Sequence, residues 1–505
     1  MGGTRVAPVS AEHAAGTDVW RIALLAIAAL TLLRLVFLHF TPIELDFEEA
    51  QYWAWSRTLA WGYYSKPPLI AWLIRAATEI CGNGPACIRA PSPLLHAATA
   101  ILIGATGTAL GGRRLGAWAA LVFATMPGVA FSAMLMTTDV PLALFWAIAL
   151  YCFVRLRQGG GLGWAIAAGA ALGLGTLAKY AMLLFVPGVL LYLLLSTEGR
   201  RALGWRKPVV MLVVGVLVMS PNLLWNLNTH WSTVVSTEDT ADIGSAHFDL
   251  GHLFDYAGGQ LAIFGPVPLY FLIEQAFIGR RSAGFLPLQA EGRRLALCLS
   301  LPFLVGFLLL SLATRVNANW AAYAYVAGSL AAAAAVARPT AYWWLRRSVV
   351  VHAAVGLGMY GAILCLPLWS PLPFNLSHAV DRRIGWQAMG RAVAAELAKE
   401  PSLRLLTADR TLTSDMLYYA QVPPKGYAAW SPDPRPGSEY ERVAGLQAGD
   451  PGPFLLVLSD GVDPKQFTRH FSAVGSEKDV IVQLWTGTER RLQLIRVQGF
   501  RGYAP

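Results

Sequence analysis

The sequence predicts an α-helical polytopic membrane protein that ends in a soluble α/β domain. Its composition, its apolar runs and its basic loops support this fold class. Of 505 residues, 55% are hydrophobic and 14% are charged, whereas a soluble domain carries about 25% charged residues. The apolar runs are long and continuous, which favours helices over a β-barrel. The net charge of +10 comes from short loops and therefore indicates membrane topology and not nucleic-acid binding.

About eleven transmembrane helices are predicted, with a cytoplasmic N-terminus. Basic loops alternate with loops that hold few Lys or Arg, and basic loops face the cytoplasm. The N-terminus lacks a short apolar segment with a small-residue cleavage site, so we expect a tail and not a signal peptide. The predicted spans are 20–40, 90–111, 115–135, 138–156, 163–178, 180–196, 208–226, 259–278, 295–312, 319–337 and 348–368. The basic loops are Arg113-Arg114, Arg155 to Arg157, Arg200 to Lys207, Arg280 to Arg294 and Arg338 to Arg347.

The same alternation assigns the remaining loops to the outer face. We expect a transmembrane domain over 1–370, with outer loops at 41–89 and 227–258, and a periplasmic domain over 371–505. Residues 67–80 are apolar but too short to span, so they are expected to be an interfacial amphipathic segment.

The C-terminal part differs in composition, with more charge, Pro and Gly and shorter apolar runs. An amphipathic helix is predicted over 386–399. Strand-like runs are found at 403–408, 453–460, 480–487 and 490–497. This combination is typical of an α/β domain.

Cys81 and Cys87 bracket a Gly-Asn-Gly-Pro turn on the predicted outer face. A short disulfide between them is expected in an oxidising compartment. Neither a His nor a second Cys pair accompanies them, so a zinc site is not predicted.

The loop after the first span carries an acid cluster that consists of Glu44, Asp46, Glu48 and Glu49. Carboxylates at a membrane surface need water, a partner or a substrate. In a helix that starts near Asp46, Glu48 shares a face with Gln51 or Tyr52, while Glu49 points elsewhere. Two interpretations stay open: one acid faces a cavity, or all four cap and solvate the helix.

Lys66 lies in the segment GYYSKPPL at 62–69. The two prolines fix the backbone and direct Lys66 at the membrane surface beside aromatic residues. A fixed cation there suits a lipid-linked phosphate. The alternative is ordinary contact of a Lys with lipid headgroups.

Three further charged residues lie on the predicted outer face. Asp139 stands at the start of a span, either as a helix cap or as a site residue. Lys179 and Arg315 each lie between apolar runs, either as interface anchors or as ligands of a phosphate or carboxylate.

Amides and aromatics surround the loop 227–258. Asn222, Trp225, Asn226, His230 and Trp231 open it, and Gly258-Gly259-Gln260 closes it. Aromatics beside amides suit a sugar, although a lone His is more often structural. No Walker loop, nucleotide-binding GxGxxG or HExxH motif is present, so an enzyme acting outside needs a lipid-carried donor.

Together these segments resemble bacterial members of the glycosyltransferase C (GT-C) superfamily, in the lineage of protein O-mannosyltransferases and lipid A aminoarabinose transferases. The matching segments are EEAQYWAWS (48–56), GYYSKPPLIAWL (62–73), TTDVP (137–141), PNLLWN…THWSTV (221–235), GGQ…FGP (258–266) and NANW (317–320). The resemblance implies a multispan helical bundle whose active site lies in outer loops. It also implies a polyprenyl-phosphate sugar donor, inversion at the anomeric carbon and a bacterial inner-membrane location with periplasmic chemistry.

The resemblance also implies residue roles. The family usually has Asp-Glu where Glu48-Glu49 stands; we favour Glu48 as the key acid and keep Asp46 as the alternative. The aminoarabinose transferases carry Glu where this chain has Ser65, which weakens the transfer of their metal site and donor to this chain. The catalytic candidates are Glu48, Asp46 and Asp139, and the donor-phosphate candidates are Lys66, Lys179 and Arg315. The substrate-binding candidates are Glu49, Gln51, Tyr52, Tyr64, Asn226, His230, Gln260, Asn319 and Trp320.

The sequence therefore predicts a membrane glycosyltransferase that moves a sugar from a polyprenyl-phosphate donor to a glycolipid, glycan or protein acceptor. No cofactor is required; a divalent metal is compatible with the chemistry but is not predicted. Two alternatives remain. A transporter or flippase of lipid-linked sugars should show acids inside spans and inverted repeats. A non-catalytic scaffold leaves the acid cluster and the Lys-Pro-Pro turn unexplained.

Overall fold

The computed structural model describes residues 9–241, 248–277, 288–370, 377 and 380–503. The first eight residues of the predicted tail, six residues of the loop 227–258, part of the basic loop Arg280 to Arg294 and the domain boundary at 371 lie outside the described residues.

The chain divides into two compact units. The first, which we call the membrane unit, comprises the described residues of Met1–Leu38 and Arg89–Met359; the second comprises those of His39–Ile88 and Tyr360–Pro505. The segment after the first span, predicted to be an outer loop, thus groups with the C-terminal part of the chain.

The membrane unit is helical in its regular structure. Its α-helices include Val9–Phe40, Pro91–Gly111, Arg113–Thr125, Pro127–Ser132, Asp139–Arg157, Leu162–Ala178, Phe185–Leu195, Thr197–Leu203, Arg206–Asn228, Ser232–Ala241, Leu250–Phe264, Pro266–Phe277, Ala290–Cys298, Leu301–Leu310, Ala324–Ala333 and Pro339–Cys365. The first and the last of these helices cross the boundary between the two units, so their final residues belong to the second unit. Short 3₁₀ helices cover Tyr180–Leu184, Ala318–Ala321 and Ala334–Ala337.

Every predicted span coincides with helical structure, but not every one meets the criteria for a membrane span. Among the described residues, six helices are long and apolar enough, or up to eight if each of two bent pairs is one span. The number eleven and the sidedness of the loops stay predictions.

Proline and glycine explain where the shorter helices break. Gly265 has φ +87°, a conformation that glycine adopts at little cost. Pro266, which lacks a backbone N–H, follows it, and the two helices meet at an angle of 104°. The pair Gly258-Gly259, expected to close a loop, instead lies inside the helix Leu250–Phe264.

The second unit contains a five-stranded mixed sheet. Its strands are β1 Arg404–Thr407, β2 Tyr427–Ala429, β3 Phe454–Ser459, β4 Phe471–Gln483 and β5 Glu489–Phe500. Their order is β2-β1-β3-β5-β4, with β1 parallel to β2 and β3, and β5 antiparallel to β3 and β4. The strands β1, β3 and β5 fall on predicted runs, whereas β4 overlaps the predicted run 480–487 only at 480–483. The strand β2, with three residues, is too short to leave a pattern of alternation.

Helices of the second unit pack against the sheet or against one another, and one of them contains Glu48 and Glu49 of the acid cluster. The helices of this unit include Phe47–Ser56, Leu69–Cys81, Pro85–Arg89, Trp386–Leu397, Arg410–Tyr419, Glu439–Ala444 and Lys465–Thr468. Of these, Trp386–Leu397 matches the predicted helix, and Pro85–Arg89 ends at the first residue of the membrane unit. We call Phe47–Ser56 the acid helix. It packs against Arg410–Tyr419, so the acid cluster belongs structurally to the same body as the sheet.

Candidate functional site

A cavity of about 560 Å³ opens in the membrane unit and is lined in part by Asp139, Asn317 and Asn319. Its volume falls within the range of roughly 300–1,000 Å³ that is usual for ligand pockets. Lys179 Nζ lies 2.7 Å from Asp139 Oδ1, and Asn319 Nδ2 donates to Asp139 Oδ2 at 2.9 Å. Asp139 therefore joins two other sequence-predicted site residues, Lys179 and Asn319, and Asp139 and Asn319 both line the cavity.

Local backbone structure delivers Lys179 to this position. The helix Leu162–Ala178 ends at Ala178, Lys179 adopts an extended conformation with φ −160° and ψ 134°, and a 3₁₀ helix begins at Tyr180. This break turns the ammonium group toward the start of the helix that Asp139 begins. The two charged side chains stay 24% and 19% exposed, so both are partly accessible to a ligand.

Gln260 holds the segment Asn317–Trp320 in place. Its Nε2 donates to the Ala318 carbonyl at 3.0 Å, and its Oε1 accepts from the Tyr325 hydroxyl at 2.7 Å. A Cβ at Gly259 would lie 2.5 Å from the Ala318 Cβ, so this close approach requires glycine. Gln260 is only 5% exposed and its described contacts position the segment, while its predicted role in substrate binding stays a prediction.

Asn226 belongs to a buried polar network behind Lys179. Its Nδ2 donates to the Tyr180 hydroxyl and to the Asn222 carbonyl, each at 3.0 Å. The Tyr180 hydroxyl donates to Asn222 Oδ1 at 2.9 Å. This network fixes the residue that follows Lys179, a structural role that adds to the predicted substrate role of Asn226.

Three other site residues predicted in the membrane unit, His230, Arg315 and Trp320, do not line the cavity. His230 is exposed in a tight turn where it and Trp231 adopt φ of 52° and 59°. Arg315 is exposed, and no described residue forms an ion pair with it. Trp320 packs near Phe307, with ring centroids 6.1 Å apart, and does not line the cavity.

In the second unit, three of the four clustered acids have structural partners. Asp46 caps the acid helix, because its side chain accepts from Glu48 N, and it forms an ion pair with Arg383 at 2.8 Å. Glu49 completes the capping box by accepting from Asp46 N at 3.1 Å. Glu44 accepts from the backbone N–H of Trp386 at 2.6 Å, while burial raises the pKa of this carboxyl group.

Glu48 is the exception in this cluster. Its carboxylate is half-buried and has no hydrogen-bond or ion-pair partner among the described residues. Gln51 and Tyr52, predicted to share its face, are buried in the packing of the acid helix. The local environment therefore distinguishes Glu48 from Asp46 and Glu49, whose charges stabilise the helix start.

The turn that carries Lys66 is tied to the C-terminal part of its unit. Tyr63 N donates to the Lys66 carbonyl at 3.1 Å, and Tyr64 N donates to Glu439 Oε2 at 2.9 Å. Lys66 itself is half-buried, with buried Pro67 and Pro68 directly after it. A disulfide joins Cys81, the last residue of the next helix, to Cys87.

Most residues that line the cavity were not predicted as site residues. Asn317, Tyr323 and His96 line the cavity, and only Asn317 stands in a segment that the sequence had singled out. Among the described residues, no group of three or more His, Cys, Asp and Glu is arranged to hold a metal ion.

Comparisons with known proteins place the chain in a class. A family model described as dolichyl-phosphate-mannose-protein mannosyltransferase matches residues 65–225. The lipid A galacturonosyltransferase RgtD of Rhizobium johnstonii is 32% identical over 476 residues, which cover 93% of this chain and 95% of that protein. The chain belongs to the GT-C superfamily of membrane glycosyltransferases.

Two further comparisons agree with this assignment. The lipopolysaccharide core galacturonosyltransferase RgtB of the same organism is 28% identical over 274 residues, 54% of this chain and 55% of that protein. The crystal structure of ArnT from Cupriavidus metallidurans bound to undecaprenyl phosphate has a TM-score of 0.64 at 16% identity, covering 93% of this chain and 97% of that one. At this identity the likeness establishes the fold alone.

Proposed function

We propose that the protein transfers a galacturonosyl residue from a polyprenyl-phosphate donor to lipid A, at the periplasmic face of a bacterial inner membrane. The observation that carries the proposal is the Asp139 carboxylate, held by Lys179 and Asn319 at the wall of the cavity. The similarity to RgtD over 93% of the chain supports the choice of sugar and acceptor.

The charges near the cavity suit an acidic sugar on a lipid phosphate. Arg315, two residues before Asn317, has no ion-pair partner among the described residues and is free to bind an anion. Ser65 offers no carboxylate where aminoarabinose transferases carry Glu, so a cationic sugar lacks that partner. A donor with a phosphate and a uronic carboxylate is the better electrostatic match.

In the proposed reaction, an acceptor oxygen attacks the anomeric carbon as the bond from that carbon to the phosphate oxygen breaks. Polyprenyl phosphate leaves with the bonding electrons, and Arg315 neutralises its charge. If the acceptor is a hydroxyl group, Glu48 takes its proton; if it is a phosphate, no base is needed and Glu48 orients it. Attack from the face opposite the leaving group inverts the anomeric configuration.

A donor panel tests this proposal. The protein, purified and reconstituted with lipid A, is incubated with polyprenyl phosphates that carry galacturonate, galactose or aminoarabinose, and released polyprenyl phosphate is measured. We expect release with galacturonate and at most a tenth of that rate with the others. Asp255→Asn, on an exposed residue outside the cavity lining, is the matched control for Asp139→Asn. Release from all three donors, or from none, would contradict the proposed donor.

A further inference from the structure

A second cleft lies within the second unit. It has a volume of about 280 Å³, close to the lower limit of roughly 300 Å³ for small-molecule sites. The end of the acid helix forms one wall, with Trp55, Arg57 and Thr58, and the helix Glu439–Ala444 forms another. Neither Glu48 nor Lys66 lines it.

The walls are aromatic and rigid. The rings of Trp55 and Tyr63 stack with centroids 4.6 Å apart and planes 3° from parallel. The Tyr63 hydroxyl donates to the Trp55 carbonyl at 3.0 Å, which fixes the ring. Tyr427 also lines the cleft and contacts Tyr440 edge to face. Together these rings give the cleft an apolar wall against which one side of a sugar ring can pack.

Two cations at this cleft have no carboxylate partner among the described residues. Arg57 donates one N–H to the Val422 carbonyl at 2.9 Å and lies over the Trp53 ring at 4.9 Å. Burial lowers the pKa of Arg57, because no nearby carboxylate compensates for its partial desolvation. Lys425 is exposed at the rim and forms no described contact.

The acidic residue of the cleft is already neutralised. Glu439 accepts from Arg442 Nε at 3.0 Å and from Arg442 Nη2 at 2.5 Å, and it also accepts from Tyr64 N. The cleft therefore presents net positive charge. A further donor also lacks a partner, because Trp55 is only 3% exposed and its indole N–H has no acceptor among the described atoms. Unsatisfied donors together with free cations match a ligand with several acceptor oxygens.

From this arrangement we propose that the cleft formed by Trp55, Arg57 and Lys425 binds an anionic sugar, one that carries a phosphate or a carboxylate. Arg57 and Lys425 bind the anionic group, and the aromatic wall contacts the ring. The inference rests on the proposed function only in that a glycolipid acceptor carries sugar phosphates and the transferred sugar carries a carboxylate. Binding at the cleft requires no transfer and is measured separately from it.

Calorimetric titration of the purified full-length protein in lipid nanodiscs tests the proposal. The probes are glucosamine 1-phosphate, galacturonic acid, neutral galactose and inorganic phosphate. We expect one or both anionic sugars to bind, and galactose and phosphate to bind at least tenfold more weakly. Preference for glucosamine 1-phosphate identifies the acceptor as the source of the ligand, and preference for galacturonic acid identifies the transferred sugar. Equal binding of inorganic phosphate would overturn the sugar-binding proposal.

Substitutions of the two cleft cations test whether the anionic sugar binds in the cleft. Lys425→Gln removes an exposed charge without a structural contact, so the fold is retained; we expect about threefold to fivefold weaker binding, in keeping with an exposed ion pair. Arg57→Gln is expected to weaken binding about tenfold. Lys465→Gln, an exposed Lys outside the cleft, is the matched control and should leave binding unchanged.

Asp139→Asn separates the two proposals. If it abolishes transfer while anionic sugars still bind, the cleft is independent of the membrane cavity, as proposed. Binding that is lost in Asp139→Asn but unaffected in Lys425→Gln and Arg57→Gln would place the ligand in the membrane cavity and overturn the inference. A protein that binds the anionic sugars through Arg57 and Lys425 but transfers none of the donors would refute the proposed function alone.

Discussion

Lys179 and Asp139 form an ion pair of 2.7 Å that joins the break after one membrane helix to the first residue of another. Asn319 binds the second carboxylate oxygen. The pair is partly exposed at the wall of a cavity, so its polar atoms can exchange this contact for contacts with a ligand. This relationship is the structural basis of the proposed donor site.

Removing the charge of Asp139 should disable the site. In Asp139→Asn, Lys179 and Asn319 lose the anion that orients them, and we expect transfer to fall about hundredfold or more, the size typical for loss of one electrostatic contact at a transition state. A double-mutant cycle with Lys179→Gln, measured as initial transfer rates, should be strongly non-additive. Additive losses would show that the two residues act independently.

The acid cluster offers a second test, in which activity and stability separate. Glu48→Gln should lower transfer to a hydroxyl acceptor by about 10²- to 10⁴-fold and leave the melting temperature unchanged, because its carboxylate has no described partner. Asp46→Ala should instead cost about 0.5–2 kcal/mol of stability through loss of the helix cap. Transfer rates and thermal unfolding of both variants decide the matter.

The opposite pattern would count against this assignment. If Asp46→Ala abolished transfer at unchanged melting temperature while Glu48→Gln remained active, Asp46 would be the key acid. Glu79→Gln, at an exposed Glu of the same unit, is the chemically matched control for Glu48→Gln.

Two neighbouring glycines make a matched pair. A methyl group at Gly259 would meet Ala318 at 2.5 Å and displace the segment that carries Asn317 and Asn319, whereas a methyl group at Gly258 meets nothing within 4 Å. We therefore expect Gly259→Ala to reduce transfer at least tenfold. Gly258→Ala should keep full transfer and gain up to about 1 kcal/mol of helix stability. Equal activity of the two variants would refute the positioning role of Gln260 and its neighbours.

These cases show what the sequence could reveal. Asp139, Lys179 and Asn319 stand out because charged or amide residues beside apolar runs are rare in spans, and the structure brings them into contact. Their pairing was not predictable, because it depends on the break at Lys179 and on how two helices pack. Gln260 and Asn226 carry the same polar signal, but burial and neighbouring carbonyls give them structural contacts.

The fold, like the site, could be predicted from the sequence only in part. Apolar runs located the helices, yet Gly265 interrupts the predicted span 259–278 at a bend of 104°, and a bend of 113° at Ser196 ends the span 180–196. Neither bend angle is contained in a hydropathy pattern. The grouping of the segment 39–88 with the C-terminal sheet was also beyond the sequence, because it rests on long-range contacts such as that of Glu44 with Trp386. The three-residue strand β2 is formed by pairing with β1 and has no local signature.

Asp415 predicts how stability depends on pH. It is 1% exposed, and neither carboxylate oxygen has a hydrogen-bond partner among the described atoms. Burial raises its pKa well above the ordinary value of 3.8, against a smaller opposing effect of Arg490. Because the folded state holds the proton more tightly than the unfolded state, the contribution of Asp415 is favourable below pH 3.8 and is lost as pH rises through its raised pKa.

The melting temperature measured from pH 5 to pH 8 checks this prediction. The parent protein should lose stability toward neutral pH, and Asp415→Asn, which is neutral throughout, should lose less and be the more stable of the two at about pH 8. Asp433→Asn, on an exposed loop, is the control. Asp409→Asn is not suitable as a control, because Asp409 caps a helix. Parallel curves for the parent protein and Asp415→Asn would contradict a raised pKa.

The most direct test of the account is the product itself. The protein is reconstituted with lipid A and polyprenyl-phosphate galacturonate, and lipid A is then examined by mass spectrometry, with Asp139→Asn and Asp255→Asn in parallel. The account predicts lipid A that carries one added uronic acid with the parent protein and with Asp255→Asn, and unmodified lipid A with Asp139→Asn. Unmodified lipid A with the folded parent protein, or full modification by Asp139→Asn, would contradict it.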